Sequence, residues 1–211
     1  MTVRADVQDH FEDLERQAHA ARLGLWVFLA SEVLLFGALF ALFFGYRTHF
    51  PGEFREAVHD NTKVLGSINT GVLLVSSTLV ACSVHALRSG ARRLSALLVG
   101  STMTLGVVFL AIKFTEYAKH FSDGIYPGGH GHYFSEHGLR GLAEFWTLYF
   151  GMTGLHAIHV TIGIIVLGTM LSRVLRGTVT PRTAYRLELG ATYWHLVDLV
   201  WIFLWPLFYL A

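Results

Sequence analysis

Eight ionisable side chains stand inside stretches that are otherwise apolar: Glu32 alone, Lys113 with Glu116, His156 with His159, and Glu188, His195 and Asp198 in one run. Each pattern suggests a chemistry. A lone carboxyl at membrane depth is costly. It serves either as a proton relay or as a structural acid facing lipid or a partner. Lys113 and Glu116, three residues apart, can pair on one helix face. His156 and His159 share that spacing in Thr153-Gly-Leu-His-Ala-Ile-His159 and could share a metal ion. With no third ligand nearby in sequence, hydrogen bonding between helices is the reading adopted. His195 and Asp198 are read likewise, as bonded to each other or to a neighbouring helix, because buried polar groups must be paired. His120, His130, His132 and His137 could bind zinc or copper, but their Gly-rich spacing pre-forms no site and a solvated loop is the reading adopted. Cys82 reads as a small core residue.

Other chemistries lack their residues. There is no Gly-rich phosphate loop, no nucleophile paired with a base and no Cys-x-x-Cys-His haem attachment motif. No complete active site is expected, which points to a supporting membrane subunit. The 211 residues are 53% hydrophobic and 15% charged, a membrane composition. The formal charge of +1 argues against a nucleic-acid binder, and a single cysteine excludes a disulfide within the chain. Residues 1–22 show no signal peptide. Val3, Val7, Phe11, Leu14, Ala18 and Ala21 recur there at helical spacing, so the segment reads as a cytoplasmic amphipathic helix.

The elements that must position these groups are five crossings of about 20 residues or more, at about 23–46, 64–87, 94–118, 143–171 and 187–210, joined by polar loops at 47–63 and 119–142 and by short basic ones. The fold class is all-α: one polytopic domain, 23–211, a bundle of five transmembrane helices. The second crossing is rich in Gly, Ser and Thr and reads as central, because small residues let membrane helices approach closely. In the fourth, Gly151, Gly154, Gly163 and Gly168 are the expected packing points. In the fifth, Glu188, Ala191, Thr192, His195 and Asp198 form a polar stripe expected to face protein, while Trp194, Trp201, Trp205 and Phe208 form an aromatic side. Of the 16 Lys and Arg, ten lie in the N-terminal segment and the loops after crossings two and four, and five in the other two loops. The positive-inside rule then places the N-terminus inside and the C-terminus outside.

Five segments in order resemble the subunit III family of the haem–copper oxidases. They are Leu29-Ala-Ser-Glu32-Val-Leu-Leu-Phe36, Ile68-Asn-Thr-Gly-Val-Leu-Leu-Val-Ser-Ser77, Glu116-Tyr117 with Ser122-Asp-Gly-Ile-Tyr126, Thr153-Gly-Leu-His-Ala-Ile-His-Val160 and Tyr193-Trp-His-Leu-Val-Asp-Leu-Val-Trp201. Lys113 departs from the family's frequent Gln and Thr192 from its usual Trp, and residues 127–142 look like an insertion. The chain resembles the shorter, five-helix bacterial form, which lacks two N-terminal helices that wall a lipid-filled cleft in longer members.

The resemblance implies a non-redox subunit of a proton-pumping terminal oxidase in the bacterial inner membrane, foremost a cytochrome c oxidase. Such a subunit contacts subunit I and subunit II, holds phospholipid and supports proton uptake, with Glu32 at the family's intramembrane carboxylate. Haem and copper are expected in the partner subunits and no metal in this chain. The alternatives are the same subunit in a quinol oxidase, or an accessory subunit of a nitric oxide reductase. A small proton or solute transporter using Glu32, Lys113 and Glu116 is a different class, disfavoured because no crossing is broken at mid-depth. A haem-carrying catalytic subunit is disfavoured by the small number of crossings and of membrane histidines.

Overall fold

The computed structural model describes residues 13–61, 63–137 and 140–210. Among them there is no strand. Seven helices run in the order α1 (Leu14–His49), α2 (Pro51–Asp60), α3 (Lys63–Arg88), α4 (Arg92–Ser122), α5 (His132–His137), α6 (Arg140–Leu175) and α7 (Tyr185–Tyr209). Five of them, α1, α3, α4, α6 and α7, are long and apolar enough to cross a membrane. The helix expected over residues 1–22 falls mostly outside the described residues. Its resolved part, from Leu14, is the beginning of α1 itself, opened by the Asp13 side chain, which accepts from the Arg16 amide.

The 47–63 segment, expected as a loop, holds α2 instead. Pro51 suits the first helical position. Phe54, Ala57 and Val58 then recur at the spacing of one helical face and are buried, Phe54 edge-on to Phe43 and Phe145 at 5.3 Å each. The 119–142 segment is likewise shorter as a loop than expected, because α4 runs on to Ser122 and α5 intervenes.

Packing runs α1 against α6, α6 against α4, α4 against α3, with α7 lying against α1, α3 and α6. The most buried crossing is α7; α3 does pack on more than one side, against α4 and α7, but its outer face, including Ser67, Gly71, Thr78 and Cys82, is exposed. Cys82 is accordingly a surface residue of the bundle and not a core one.

The aromatic side of α7 faces inward. Trp194, Trp201 and Phe208 are fully buried. Rigid rings of that size fit between helices only where the facing backbone carries no side chain. A Cβ added at Gly106 on α4 or at Gly163 on α6 would sit 2.7 Å from the Trp194 ring, and one at Gly66 on α3 would sit 2.8 Å from Tyr209. Of the four glycines expected to pack α6, Gly163 does so tightly, Gly168 meets Met103 and Gly154 only grazes Tyr117, whereas Gly151 faces open space.

Gly106→Ala and Gly163→Ala should each destabilise the bundle by about 1–3 kcal/mol through overpacking, and Gly151→Ala should be neutral or slightly stabilising. Thermal unfolding in detergent, comparing the three variants, checks this ordering.

Candidate functional site

Three polar assemblies link the helices. The first joins Glu32, midway along α1, to His159, midway along α6: Nε2 lies 2.8 Å from Glu32 Oε2. The helical face of Glu32 offers it no partner, and the partner comes from across the bundle. The proton inventory follows from geometry. His159 Nδ1 is 2.8 Å from the Leu155 carbonyl, which can only accept, so Nδ1 carries a hydrogen. The contact to Glu32 then holds one more proton. It sits on nitrogen, as imidazolium with carboxylate, or on oxygen, as imidazole with carboxylic acid. Both forms are neutral as a pair, which is what hydrocarbon tolerates. The pair can thus shift a proton along its axis without changing its net charge. Tyr193 on α7 donates to the His159 carbonyl at 3.2 Å, and Phe36 covers the imidazole edge-on at 5.4 Å.

The second assembly is buried near the last turns of α4 and α7. Lys113 donates to Glu116 Oε2 (3.1 Å), Tyr149 Oη (2.9 Å) and Tyr209 Oη (3.0 Å), which uses all three ammonium hydrogens. Both tyrosines in turn donate to Glu116 Oε1, at 2.8 and 2.6 Å. The rings of Tyr117, Tyr149, Trp201 and Tyr209 surround the ammonium at 4.8–5.7 Å. The spacing of Lys113 and Glu116 showed their pairing. The two tyrosines, 33 and 93 residues from Glu116, carried no sequence signal beyond being polar groups in apolar helices. A relay beside it ties the chain end: His120 Nε2 donates to Asn61 Oδ1 (3.1 Å), and Asn61 Nδ2 donates to the Phe208 carbonyl (3.0 Å). His120, expected in a solvated loop, is a buried residue of α4. His130 and His132 do lie beyond α4, and no group of three or more His, Cys, Asp or Glu able to hold a metal occurs among the described residues. The side chain of His137 lies outside them.

The third assembly lies between α3 and α7. His195 Nδ1 shares a 2.6 Å hydrogen bond with Ser77 Oγ, and Trp194 and Trp201 donate to Ser76 Oγ and Thr70 Oγ1. The expected polar stripe of α7 is split by the fold. Asp198 and Ala191 are buried, while Glu188, Thr192 and His195 are half-exposed. Glu188 sits in the first turn of α7 and pairs with Arg88 at 2.7 Å and Arg22 at 3.4 Å. Neither carboxylate oxygen of the buried Asp198 has a hydrogen-bond partner among the described residues. His156, i−3 from His159, points to a different place: it is fully buried against Phe109 and Trp201, with no hydrogen bond among the described residues. The two imidazoles therefore do not converge on one point.

An open groove of about 960 Å³ runs between α1, α6 and α7. Gln17, Arg173 and Arg186 lie at one end, Leu25 and Ile162 along it, and Phe28 with Tyr193 at the other. From Gln17 to Phe28 it extends eleven residues of helix, ~16 Å at 1.5 Å per residue, about one leaflet.

A family model described as cytochrome c oxidase subunit III matches residues 10–145 and 143–211 of the chain. The quinol oxidase subunit 3 of Bacillus spizizenii is 32% identical over 202 residues, which cover 93% of this chain and 91% of that protein. The protein of the same name from Bacillus subtilis is 30% identical over 201 residues, with the same coverage. A probable quinol oxidase subunit 3 of Staphylococcus aureus is 28% identical over 191 residues, covering 90% of this chain and 88% of that protein.

Removing one member of a buried ion pair strands the other. Lys113→Met and Glu116→Leu should each cost about 3–5 kcal/mol, and the double variant less than either single one. Denaturation midpoints of the three variants in detergent test this. A double variant as unstable as the sum of the singles would show that the two side chains act independently.

Proposed function

The chain belongs to the cytochrome c oxidase subunit III family, a subunit of the haem–copper oxidases, and from that premise we propose that it serves a bacterial quinol oxidase as its non-redox third subunit. The observation that carries the choice of donor is the identity of the relatives, which are named quinol oxidase subunit 3 across Bacillus and Staphylococcus. The reading from sequence put a cytochrome c oxidase first and the quinol enzyme second, and the relatives favour the second. Other oxidase subunits are its partners, with subunit I as the principal one, and the haem and copper belong to those partners.

In this reading the protein lies in the plasma membrane with its N-terminus inside, in line with the distribution of Lys and Arg. Its contribution is threefold. It braces the catalytic subunit with a rigid bundle. It holds lipid in the groove between α1, α6 and α7, where Arg173 and Arg186 suit a phosphate headgroup and Leu25 and Ile162 suit acyl chains. It supports proton uptake through the Glu32–His159 pair, which keeps a proton at mid-depth in a neutral unit.

Purification through a tag on this chain, followed by oxygen consumption with a short-chain quinol and with reduced cytochrome c, tests the proposal. Turnover with quinol alone is the expected result. Turnover with cytochrome c would return the other donor, and absence of any co-purifying haem would remove the subunit reading altogether. In the same preparation Glu32→Gln, which keeps a hydrogen bond to His159 but cannot carry the proton, should assemble normally and inactivate several-fold faster over many turnovers. Glu32→Leu should in addition lose about 1–3 kcal/mol of stability by leaving His159 unpaired. If Glu32→Gln matched the native protein in turnover, pumping and lifetime, the carboxyl would be structural only.

A further inference from the structure

We propose that the outer face of α7, between α1 and α3, is the seat of one transmembrane helix of the catalytic oxidase subunit. This inference rests on membership of such a complex and adds the surface and its chemistry. α7 packs against both α1 and α3, while those two make at most marginal contact with each other, so α7 floors a shallow trough between them. The floor is a single helical face. Glu188, Thr192, His195, Leu199 and Ile202 recur at alternating intervals of four and three, the seam along which two membrane helices interlock. All five are half-exposed or exposed in this chain.

Composition separates this face from the rest of the bundle surface. The outward residues of α4 and α6 include Leu97, Val107, Phe114, Ile158 and Ile165, which hydrocarbon covers without penalty. The trough instead presents an imidazole at the midpoint of α7. Its Nδ1 is taken by Ser77, and its Nε2 has no partner among the described residues. A free imidazole nitrogen facing acyl chains at mid-depth is expensive, and a polar group on a neighbouring helix removes that cost. Toward the membrane surface, seven residues or ~10.5 Å along the axis, the trough ends at Arg22 and Arg88, both about half exposed and sharing the single carboxylate of Glu188. Glu15 and Arg182 line the same end, so Arg22, Arg88 and Arg182 meet the two carboxylates Glu15 and Glu188 and leave one net positive charge.

The occupant is therefore defined by two features. It is an apolar helix with a hydrogen-bonding side chain at mid-depth to meet His195 Nε2. About two turns away, at the interface, it carries an acidic group to meet Arg22 and Arg88. A lipid supplies no polar group at mid-depth. A second copy of this chain, docked through the same face, would set Arg22 and Arg88 against their own like charges.

Photo-crosslinking amino acids placed in the assembled oxidase test the seat. Probes at Leu199 on the trough floor and at Leu74 on the α3 wall should capture the catalytic subunit, at peptides from one and the same transmembrane helix. Probes at Leu97 on α4 and Ile165 on α6 should not. In parallel, His195→Phe should lower co-purification of this chain with the oxidase about tenfold, the loss of one interhelical hydrogen bond, and His195→Gln should recover most of it. The proposal is overturned if, in an intact complex, the trough probes capture only lipid or a second copy of this chain, or if Leu97 and Ile165 capture the catalytic subunit in their place. A native chain that failed to co-purify with the oxidase at all would remove the membership on which the seat depends, a failure distinguishable from a misplaced face.

Discussion

Hydrocarbon does not solvate charge, and apolar helices in lipid gain nothing from a hydrophobic effect between them. Both facts act on this bundle at once. Most of the ionisable groups sunk in the spans are answered by another helix, while His156 and Asp198 are buried without a hydrogen bond among the described residues. Those answers are in turn among the few directional forces that can orient the helices. Glu32 and His159 tie α1 to α6; Lys113 and Glu116 tie α4 to Tyr149 of α6 and Tyr209 of α7; Ser77 and His195 tie α3 to α7. Each crossing takes part in at least one such tie.

Shape supplies the rest of the specificity. The indole of Trp194 occupies a slot opened by Gly106 and Gly163, and Tyr209 lies on Gly66. Large rigid rings facing glycine backbones make dispersion contacts over a wide area with little side-chain entropy to lose. The same rings place their polar atoms where hydroxyls wait: Trp194 at Ser76, Trp201 at Thr70, Tyr209 at Glu116. This is why α7, the helix with the most aromatic residues, lies against α1, α3 and α6 and packs through Trp194 onto α4.

Function follows from which polar groups are closed off and which are left open. The Lys113–Glu116 cluster is fully satisfied by its own tyrosines and works as a clamp on the ends of α4 and α7. The Glu32–His159 contact joins a carboxyl to an imidazole across the bundle. The groove with Arg173 and Arg186, and the trough with His195, face outward.

The five crossings were legible in the chain itself, because about 20 apolar residues in succession can do little else. The pairing of Lys113 with Glu116 was legible too, since i, i+3 neighbours meet on any helix. The family could be read from short motifs kept in order along the chain. What the chain alone could not say is which helix answers which. The partner of Glu32 lies 127 residues away, and neither periodicity nor composition carries that distance. The inward turn of the aromatic side of α7, the exposure of Cys82, the burial of His120 and the helical state of residues 51–60 were also decided by tertiary packing. In each case the local pattern allowed two faces or two states, and the neighbouring helix, through a glycine slot, a carbonyl or a ring, selected one.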